Sequence, residues 1–373
     1  MTRLGWINGD EPLALQGRFF YSRGLQVLQK SLSSENVIYE DNILAAGYAL
    51  SVYGLFESTA PSIAGWNSHI SGLGNLVRQR GPARYSTPLA LSILEEFRYS
   101  TMIQCIQFRK SSFLGDSDWL NIPWGSAGKD VYQRLYDRGF ALGALLEDMD
   151  NTDLTNAETR TSQLSSYLQR CSKMYADFEA WYEELLQQSP SPLYWTTKSN
   201  MPADSAREPL TNDASEFQTL SPFSFPTLRL AYITATFWAL KLILSSTIAL
   251  TCGAILSSAS ASQSNSIDPA LAVDLRNTTH RLLSQHGNPQ RLELATNIMR
   301  SMPYSLNDSM GLLGAAKSLF PLRAALFCLR RQPGEELKWC QAVYQELETK
   351  KGLRYAREIA KLDGKYSPAG LAA

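Results

Sequence analysis

The sequence has no excess of charge of either sign. Its 373 residues include 35 Lys plus Arg against 35 Asp plus Glu, so the formal net charge at neutral pH is zero. A protein that binds duplex DNA by neutralising phosphates needs a basic surface, and this composition lacks the net charge for that association. Any contact with nucleic acid would therefore have to be local.

Cysteine and histidine, the usual ligands of structural zinc, are scarce. The five cysteines are odd in number and widely spaced, and neither a Cys-x-x-Cys pair nor a His-Glu-x-x-His motif is present. His69, His280 and His286 lie far apart in the sequence, and we expect the last two at the surface. The sequence predicts no metal site and no cofactor, and it predicts reduced thiols that fill a core.

The sequence also lacks a secretory signal and a clear membrane span. Its first residues do not combine a charged region with an apolar run, so we expect an intracellular protein. Residues 230–256 reach the length of a membrane helix, which needs ~20 apolar residues. Lys241 near the centre costs roughly 2.5 to 3.5 kcal/mol on insertion scales, and no second span or basic flank accompanies it. We predict a buried central helix here and no membrane span.

Signatures of nucleotide binding and of nucleophilic hydrolysis are missing as well. Gly72-Leu73-Gly74 and residues 125–129 look like fragments of phosphate loops, but neither follows a predicted strand. No Gly-x-Ser-x-Gly elbow is present, so an acyl-transfer site of that kind is not expected. No catalytic residue is assigned from the sequence.

What the sequence does contain is helical periodicity, with almost no strand pattern. In residues 41–56 apolar side chains recur at three- and four-residue spacing, and Asp41 stands where an N-cap would accept amide hydrogen bonds. The same spacing predicts about a dozen helices. They fall at residues 13–32, 41–56, 66–80, 88–108, 129–149, 157–188, 225–256, 269–286, 289–300, 310–329, 334–348 and 353–362.

Two polar stretches interrupt these helices. Residues 187–226 contain six prolines and many Ser, Thr, Asn and Asp residues, which predicts a long surface insertion. Residues 257–266, with the sequence SSASASQSNS, are expected to form a low-complexity loop. Apolar helices flank both stretches and need a shared partner to bury against. We predict one all-α body over residues 1–373, built of antiparallel helix pairs in a solenoid-like order.

Aromatic residues are abundant, with 8 Trp, 17 Tyr and 14 Phe. Most are expected in the core, but some can line a cavity for an apolar molecule that polar groups would orient. His69 follows Trp66 by three residues and shares its helical face, where it can donate a proton or contact a ligand. The alternative is a hydrogen-bonded histidine at a helix seam. Lys241 is expected either to reach the surface or to pair with a buried acid. The candidate ligand-pocket residues are Trp66, His69, Tyr99, Tyr232, Trp238, Lys241 and Tyr304.

Several segments, taken in order, resemble the fungal-specific transcription factor domain, the helical regulatory region that follows the zinc cluster in many fungal regulators. Trp66, His69 and Gly72, ahead of RQRG at 78–81, are similar to that family's Trp-x-x-His-x-x-Gly pattern before Arg-Gly. The resemblance covers most of the chain and implies an all-helical module with a regulatory or partner-binding role. The other segments are 39–41 (YED), 53–56 (YGLF), 230–250, 302–305 (MPYS), 312–315 (LLGA), 320–325 (FPLRAA) and 352–356 (GLRYA).

The resemblance also implies what is missing. Family members typically carry a six-cysteine zinc cluster before this domain, whereas the first cysteine here is Cys105, inside a predicted helix, and the chain begins close to the first domain helix. We therefore expect the DNA-reading region to be absent, and we expect no direct, sequence-specific DNA binding.

Two functions follow as hypotheses. The first is a stand-alone regulatory protein in the nucleus, linked to secondary metabolism, that binds an apolar small molecule or another regulator protein. The alternative is a cytoplasmic, cofactor-independent cyclase, isomerase or pericyclase of the Diels-Alderase type in fungal natural-product biosynthesis. Such an enzyme needs few catalytic groups, because its apolar pocket accelerates ring closure mainly by holding the reactive conformer.

Overall fold

A computed structural model describes residues 1–34, 36–57, 64–189, 192–196, 221–261, 269–330 and 334–361. These residues are mostly helical, and the predicted all-α fold is confirmed. Two short strands, β1 (Trp195–Thr196) and β2 (Phe223–Ser224), pair in antiparallel fashion. The helices are α1 (Thr2–Asn8), α2 (Glu11–Ser31), α3 (Asp41–Tyr53), α4 (Ala64–Arg80), α5 (Pro88–Phe108), α6 (Ser117–Asn121), α7 (Val131–Asn151), α8 (Ala157–Gln188), α9 (Leu228–Ala261), α10 (Pro269–Gln285), α11 (Asn288–Ser305), α12 (Gly311–Leu329), α13 (Glu335–Thr349) and α14 (Tyr355–Lys361).

Local hydrogen bonds fix where helices begin. The Thr87 hydroxyl accepts from the Ala90 amide at the start of α5, and the Asp130 carboxylate accepts from the Gln133 amide at the start of α7. Each bond satisfies an amide that has no partner within the first turn. The Thr87 cap, with Pro88 at the first position of α5, explains why that helix starts where the sequence predicts, whereas the Asp130 cap starts α7 at Val131, two residues after the predicted start.

The cap predicted for α3 is wrong. Asp41 is the first helical residue, and Glu40 before it occupies the N-cap position without a side-chain bond. The Asp41 carboxylate instead accepts from the buried Arg80 guanidinium and from the Thr87 hydroxyl. A charged partner forms a stronger hydrogen bond than a free amide does, so the carboxylate ties α3 to the end of α4 and the start of α5.

Helix α9 lies at the centre of the body. It packs against α7, α8, α10, α11 and α12, and its residues between Leu230 and Leu240 are all buried. A helix that is apolar all round needs partners on every side. The central helix predicted for residues 230–256 is therefore present.

Two helical segments, Leu228–Ser258 and Asp308–Leu329, are long and apolar enough to cross a membrane. In their most apolar windows 61% and 72% of the residues are buried inside the protein. Core helices of soluble proteins pass the same test, so these segments are weak evidence for a membrane. The predicted lack of a membrane span stays a prediction.

The two ends of the described chain meet. The Arg3 guanidinium donates to the Lys351 carbonyl at 2.7 Å, and the Tyr355 amide donates to the Leu55 carbonyl at 3.3 Å. The rings of Trp66 and Tyr355 pack with their centroids 5.1 Å apart. Most other packing joins helices that are close in sequence, as in the predicted helix pairs. This closure places α3, α4 and α5 beside α12 and α14.

The two predicted interruptions are described in part. α9 continues to Ala261, so the loop predicted at residues 257–266 begins later than expected. The hydroxyls of Ser257 and Ser258 donate to carbonyls four residues earlier, which satisfies them within the helix. In the predicted insertion at residues 187–226, β1 pairs with β2 and α8 ends at Gln188. Residues 197–220 and 262–268 lie outside the described residues.

The five cysteine thiols are free, and four of them are buried. Burial raises the pKa of Cys105 and of Cys171 to about 12, so both are protonated at neutral pH. The predicted role of these thiols as core-filling side chains agrees with their burial.

Candidate functional site

A cavity of about 250 Å³ lies where the two ends of the chain meet. Helices α3, α4 and α5 form one side, and α12 and α14 form the other. Its walls are mainly apolar and include aromatic rings, while small side chains leave the space between them unfilled. The rings are those of Tyr48, Phe56, Trp66, Tyr99, Phe320 and Tyr355, and the small side chains are those of Ser51, Ser100 and Ala316.

One stripe of α5 faces this cavity. Glu96, Ser100, Ile103 and Gln107 line it at intervals of four, three and four residues, which is the spacing of one helix face. The stripe has Glu96 at one end and Gln107 at the other, with the small Ser100 and the apolar Ile103 between them. With a rise of 1.5 Å per residue, Glu96 and Gln107 are separated by roughly 16 Å along the helix axis.

The cavity wall contains an ion pair of a buried lysine and a glutamate whose side chain is 37% exposed. Lys317 on α12 is 5% exposed, and its Nζ lies 2.6 Å from Glu96 Oε2 on α5. The same Nζ lies 3.8 Å from the Tyr99 ring centroid and 5.2 Å from that of Tyr232. Burial lowers the pKa of Lys317, and the Glu96 carboxylate opposes that shift. A cation is thus held at an apolar wall between an acid and two rings.

Sequence reasoning missed this pair. Lys317 lies in the apolar segment GLLGAAKSLFPL, and a lone cation in such a helix is the signal that directed attention to Lys241. Glu96 precedes it by 221 residues, so the helical pattern alone does not connect the two.

Gln107 is a further polar group of the cavity. Its Nε2 is buried and has no hydrogen-bond partner among the described residues. An unsatisfied buried amide is costly, and a ligand oxygen is one means of satisfying it.

Trp66 and Tyr99 are the two predicted pocket residues that line the cavity. Tyr232 lies behind the ion pair, where its ring centroid is 6.4 Å from that of Tyr99. Burial raises the pKa of Tyr232 to about 12. The structure therefore brings Trp66 and Tyr99 to one cavity and places Tyr232 next to it.

His69 lies outside the cavity. Its Nε2 is 2.5 Å from the Tyr21 hydroxyl oxygen, and burial lowers its pKa. The Tyr21 ring meets the imidazole edge to face. This arrangement matches the alternative considered for His69, a hydrogen-bonded histidine at a helix seam.

Trp238 and Tyr304 belong to a second group of rings, which we call the aromatic cluster: Tyr182, Tyr194, Phe223, Phe225, Phe237, Trp181, Trp238 and Tyr304. The Trp238 ring lies 5.4 Å from Tyr194, and the Tyr304 ring lies 5.3 Å from Phe225. These rings pack against one another and do not line the cavity between α5 and α12.

Lys241 and His286 lie together beside that cluster. Lys241 pairs with Glu179, an acid that is 46% exposed.

The surface position predicted for His286 is wrong. Its ring is buried against Tyr175, with 4.5 Å between centroids, and its Nδ1 is 3.2 Å from the Ser245 hydroxyl on α9. The chain turns onto α9 where α10 ends, and this turn buries the imidazole.

Metal ligands do not gather anywhere in the described part of the chain. No group of three or more His, Cys, Asp or Glu side chains there could hold a metal ion.

Comparisons with known proteins give one distant relative. No family model matches this chain, and no solved structure matches it. The chain is similar to Uncharacterized protein AN5342 of Emericella nidulans, with 24% identity over 144 residues. The match covers 37% of this chain and 30% of that protein, so the chain spans less than a third of the relative's length. The resemblance to the fungal-specific transcription factor domain stays a prediction.

Proposed function

We propose that this chain is a regulatory module that binds an apolar small molecule in the cavity between α3–α5 and α12–α14. One observation supports this most strongly: an apolar, aromatic-lined cavity of about 250 Å³ contains a buried lysine held by an acid. Apolar walls with a few placed polar groups are typical of small-molecule sites, and this volume, just below the ~300–1,000 Å³ of drug-sized pockets, suits a compact ligand.

The position of the cavity suggests how binding is transmitted. Its walls come from helices near both ends of the described chain, which meet through Trp66 and Tyr355. A ligand that contacts both walls stabilises the arrangement in which they are together, because it binds that arrangement better than an open one. The surface formed by both ends is then the surface that a partner regulator recognises.

Binding is tested with matched variants at small residues. The measurement is the shift in thermal unfolding temperature, recorded by calorimetry, when 2-nonanone or 1-nonanol is added. We expect a concentration-dependent rise for the wild-type chain and none for Ala316→Leu, which fills the cavity. Ala141→Leu, at an exposed position of α7, is the control and should respond like the wild type. Equal responses of the two variants would place the bound molecule elsewhere.

Regulation is tested in the cells that produce the protein. We expect deletion to change transcript levels, and Ala316→Leu in the chromosomal copy to reproduce that change while the protein level stays normal. Extracts of the deletion strain should still process pathway intermediates. Unchanged transcripts in the deletion strain would contradict the regulatory role.

The Lys317–Glu96 pair favours a second candidate, a cofactor-independent cyclase or isomerase. A proton donor and a proton acceptor lie together in an apolar cavity with the Tyr99 ring 3.8 Å from the ammonium, and such groups can stabilise developing charge. Incubating the pure protein with extracts of the deletion strain distinguishes the two functions by mass spectrometry. An enzyme consumes an intermediate without added cofactor and loses this activity in Lys317→Met, whereas a regulator leaves the metabolites unchanged.

A further inference from the structure

The charge of Lys317 is already balanced within the cavity, and this limits the chemistry of a ligand. Glu96 Oε2 lies 2.6 Å from the ammonium nitrogen. Any anionic group that reached the ammonium would therefore lie close to the Glu96 carboxylate too. Like charges in contact repel even where one of them is 37% exposed, as Glu96 is, so a carboxylate ligand gains less from Lys317 than it would from an unpaired ammonium.

An uncharged oxygen does not meet this obstacle. An ammonium group has three N–H donors; one points to Glu96, and the Tyr99 ring covers another side at 3.8 Å. A ketone or hydroxyl oxygen can accept a remaining N–H without bringing a second negative charge. A hydroxyl can in addition donate to a Glu96 oxygen.

Two other polar groups line the same cavity. Gln107, roughly 16 Å from Glu96 along α5, offers a buried amide with no partner among the described residues, and it suits a second uncharged oxygen. Arg323 is six residues beyond Lys317 on α12 and already has interactions of its own. Gln107 is uncharged, whereas Arg323 is a second cation on the cavity wall, and its own effect on an anion is measured with Arg323→Gln.

We propose that this cavity selects an uncharged apolar molecule with a hydrogen-bonding oxygen, a ketone or an alcohol, over the carboxylate of the same skeleton. The proposal rests on the proposed function of the cavity as a ligand site and adds the class of ligand. Lys317 is the donor to the ligand oxygen, and Glu96 is the group that rejects the anion.

The test uses three nine-carbon probes that differ in one functional group: 2-nonanone, 1-nonanol and nonanoate. Affinities are measured by calorimetry with the full chain at neutral pH, where the acid is ionised. For the wild type we expect the ketone or the alcohol to bind at least tenfold more tightly than nonanoate. Nonanoate binding as tightly as both neutral probes would overturn the proposal, and Arg323→Gln would then show whether Arg323 holds the anion.

A charge-removing variant sharpens the test. Glu96→Gln keeps the size and hydrogen-bonding capacity of the side chain but leaves the Lys317 charge unbalanced. We expect its affinity for nonanoate to rise at least tenfold, so that the preference for neutral probes disappears. Glu179→Gln, which removes the partner of Lys241 outside the cavity, is the matched control and should keep the wild-type preference.

The outcomes separate this proposal from the proposed function. If none of the three probes binds the wild-type chain, both fail. If the neutral probes bind but Glu96→Gln leaves the ratio of affinities unchanged, the ligand site stands and the role of Glu96 is refuted. Should Glu96→Gln fail to fold by circular dichroism, the wild-type ratio alone decides between the neutral and the anionic class.

Discussion

Two regions of this protein are rich in aromatic side chains, but the rings serve different purposes. In the aromatic cluster they face one another, with Trp181 and Phe237 5.2 Å apart and Tyr182 stacked on Phe237 at 4.9 Å. Between α5 and α12 the rings of Trp66 and Tyr99 instead face a cavity. Aromatic content alone therefore predicts a core; small residues opposite the rings, such as Ser100 and Ala316, are what leave a cavity.

The two regions also hold their lysines differently. Lys241 pairs with Glu179 beside the aromatic cluster, and that acid is 46% exposed. Lys317 has a more buried side chain, and its partner Glu96 shares the cavity wall with it. The side-chain exposures are 12% and 46% for Lys241 and Glu179 and 6% and 37% for Lys317 and Glu96, so the Lys317 pair is more buried by a small margin. Its position at the cavity makes it the pair that bears on ligand choice.

Replacing one tryptophan in each region by alanine should have the largest effect on the free energy of unfolding. The two losses compare how tightly the regions are packed. Trp181→Ala should cost about 3 to 5 kcal/mol of unfolding free energy, because the side chain is fully buried and its Nε1 donates to the Val131 carbonyl at 2.7 Å. Trp66→Ala should cost clearly less, since part of its ring already borders a cavity. Urea denaturation measures both values.

Trp195→Ala is the control for this pair, because that ring is 46% exposed and its loss should change stability little. Equal losses for Trp181→Ala and Trp66→Ala would mean that the cavity wall is packed as tightly as the aromatic cluster.

Removing the acid of each ion pair should have the next largest effect. Glu96→Gln leaves the buried Lys317 charge without its counter-ion and should cost about 1 to 3 kcal/mol, a value reduced for the 37% exposure of the Glu96 side chain. Glu179→Gln should cost somewhat less, because the Lys241 and Glu179 side chains are each slightly more exposed than those of Lys317 and Glu96. Urea denaturation at neutral pH compares them, and equal costs would remove the distinction between the lysines.

The helices could be predicted from the sequence because the patterns that specify them involve residues close together in the chain. The spacing predicts a helix over residues 88–108, and α5 spans Pro88–Phe108, since proline and the Thr87 cap mark its start. The residue at which α9 ends could not be predicted in this way. Serines in SSASA indicate a loop by composition, but their hydroxyls bond back to the helix carbonyls and the helix continues.

The site depended on contacts between residues far apart in sequence. Trp66 and Tyr99 could be proposed from their type, and both line the cavity. Glu96 and Lys317 meet only because the chain ends close on each other, which no helical period encodes. The same limit applies to Lys241: its position in an apolar helix indicates a partner but does not show that Glu179 lies near the surface.

Lowering the pH should reduce the free energy of unfolding through His286, which lies beside the aromatic cluster. Burial, helped by the nearby Lys241 charge, lowers the pKa of His286 below its usual 6.5. The unfolded chain then takes up a proton first as the pH falls, so stability is complete above pH 6.5 and declines below it. We expect the free energy of unfolding of His286→Gln to decline less than that of the wild type as the pH falls below 6.5.

The measurement is the slope of unfolding free energy against pH, which separates the titration from any loss of packing. His280→Gln, at an exposed position of α10, should keep the wild-type slope. An unchanged slope in His286→Gln would show that the imidazole is not held neutral by its surroundings. His69 lies in another part of the fold, and its own lowered pKa contributes the acid sensitivity that remains.

The smallest predicted effect is a gain, and it compares two glutamines on α5. Gln107→Met should raise the unfolding free energy of the ligand-free protein by up to about 1 kcal/mol, because it replaces a buried amide that has no partner among the described residues. Gln104→Met should instead lower it by about the same amount, since the Gln104 amide donates to the Asn67 side chain at 3.2 Å. Opposite signs in parallel denaturation curves would show that the Gln107 amide faces the cavity unsatisfied. A loss of stability in both variants would mean that water already satisfies Gln107, and the cavity would then be a hydrated site, unlike the closely packed aromatic cluster.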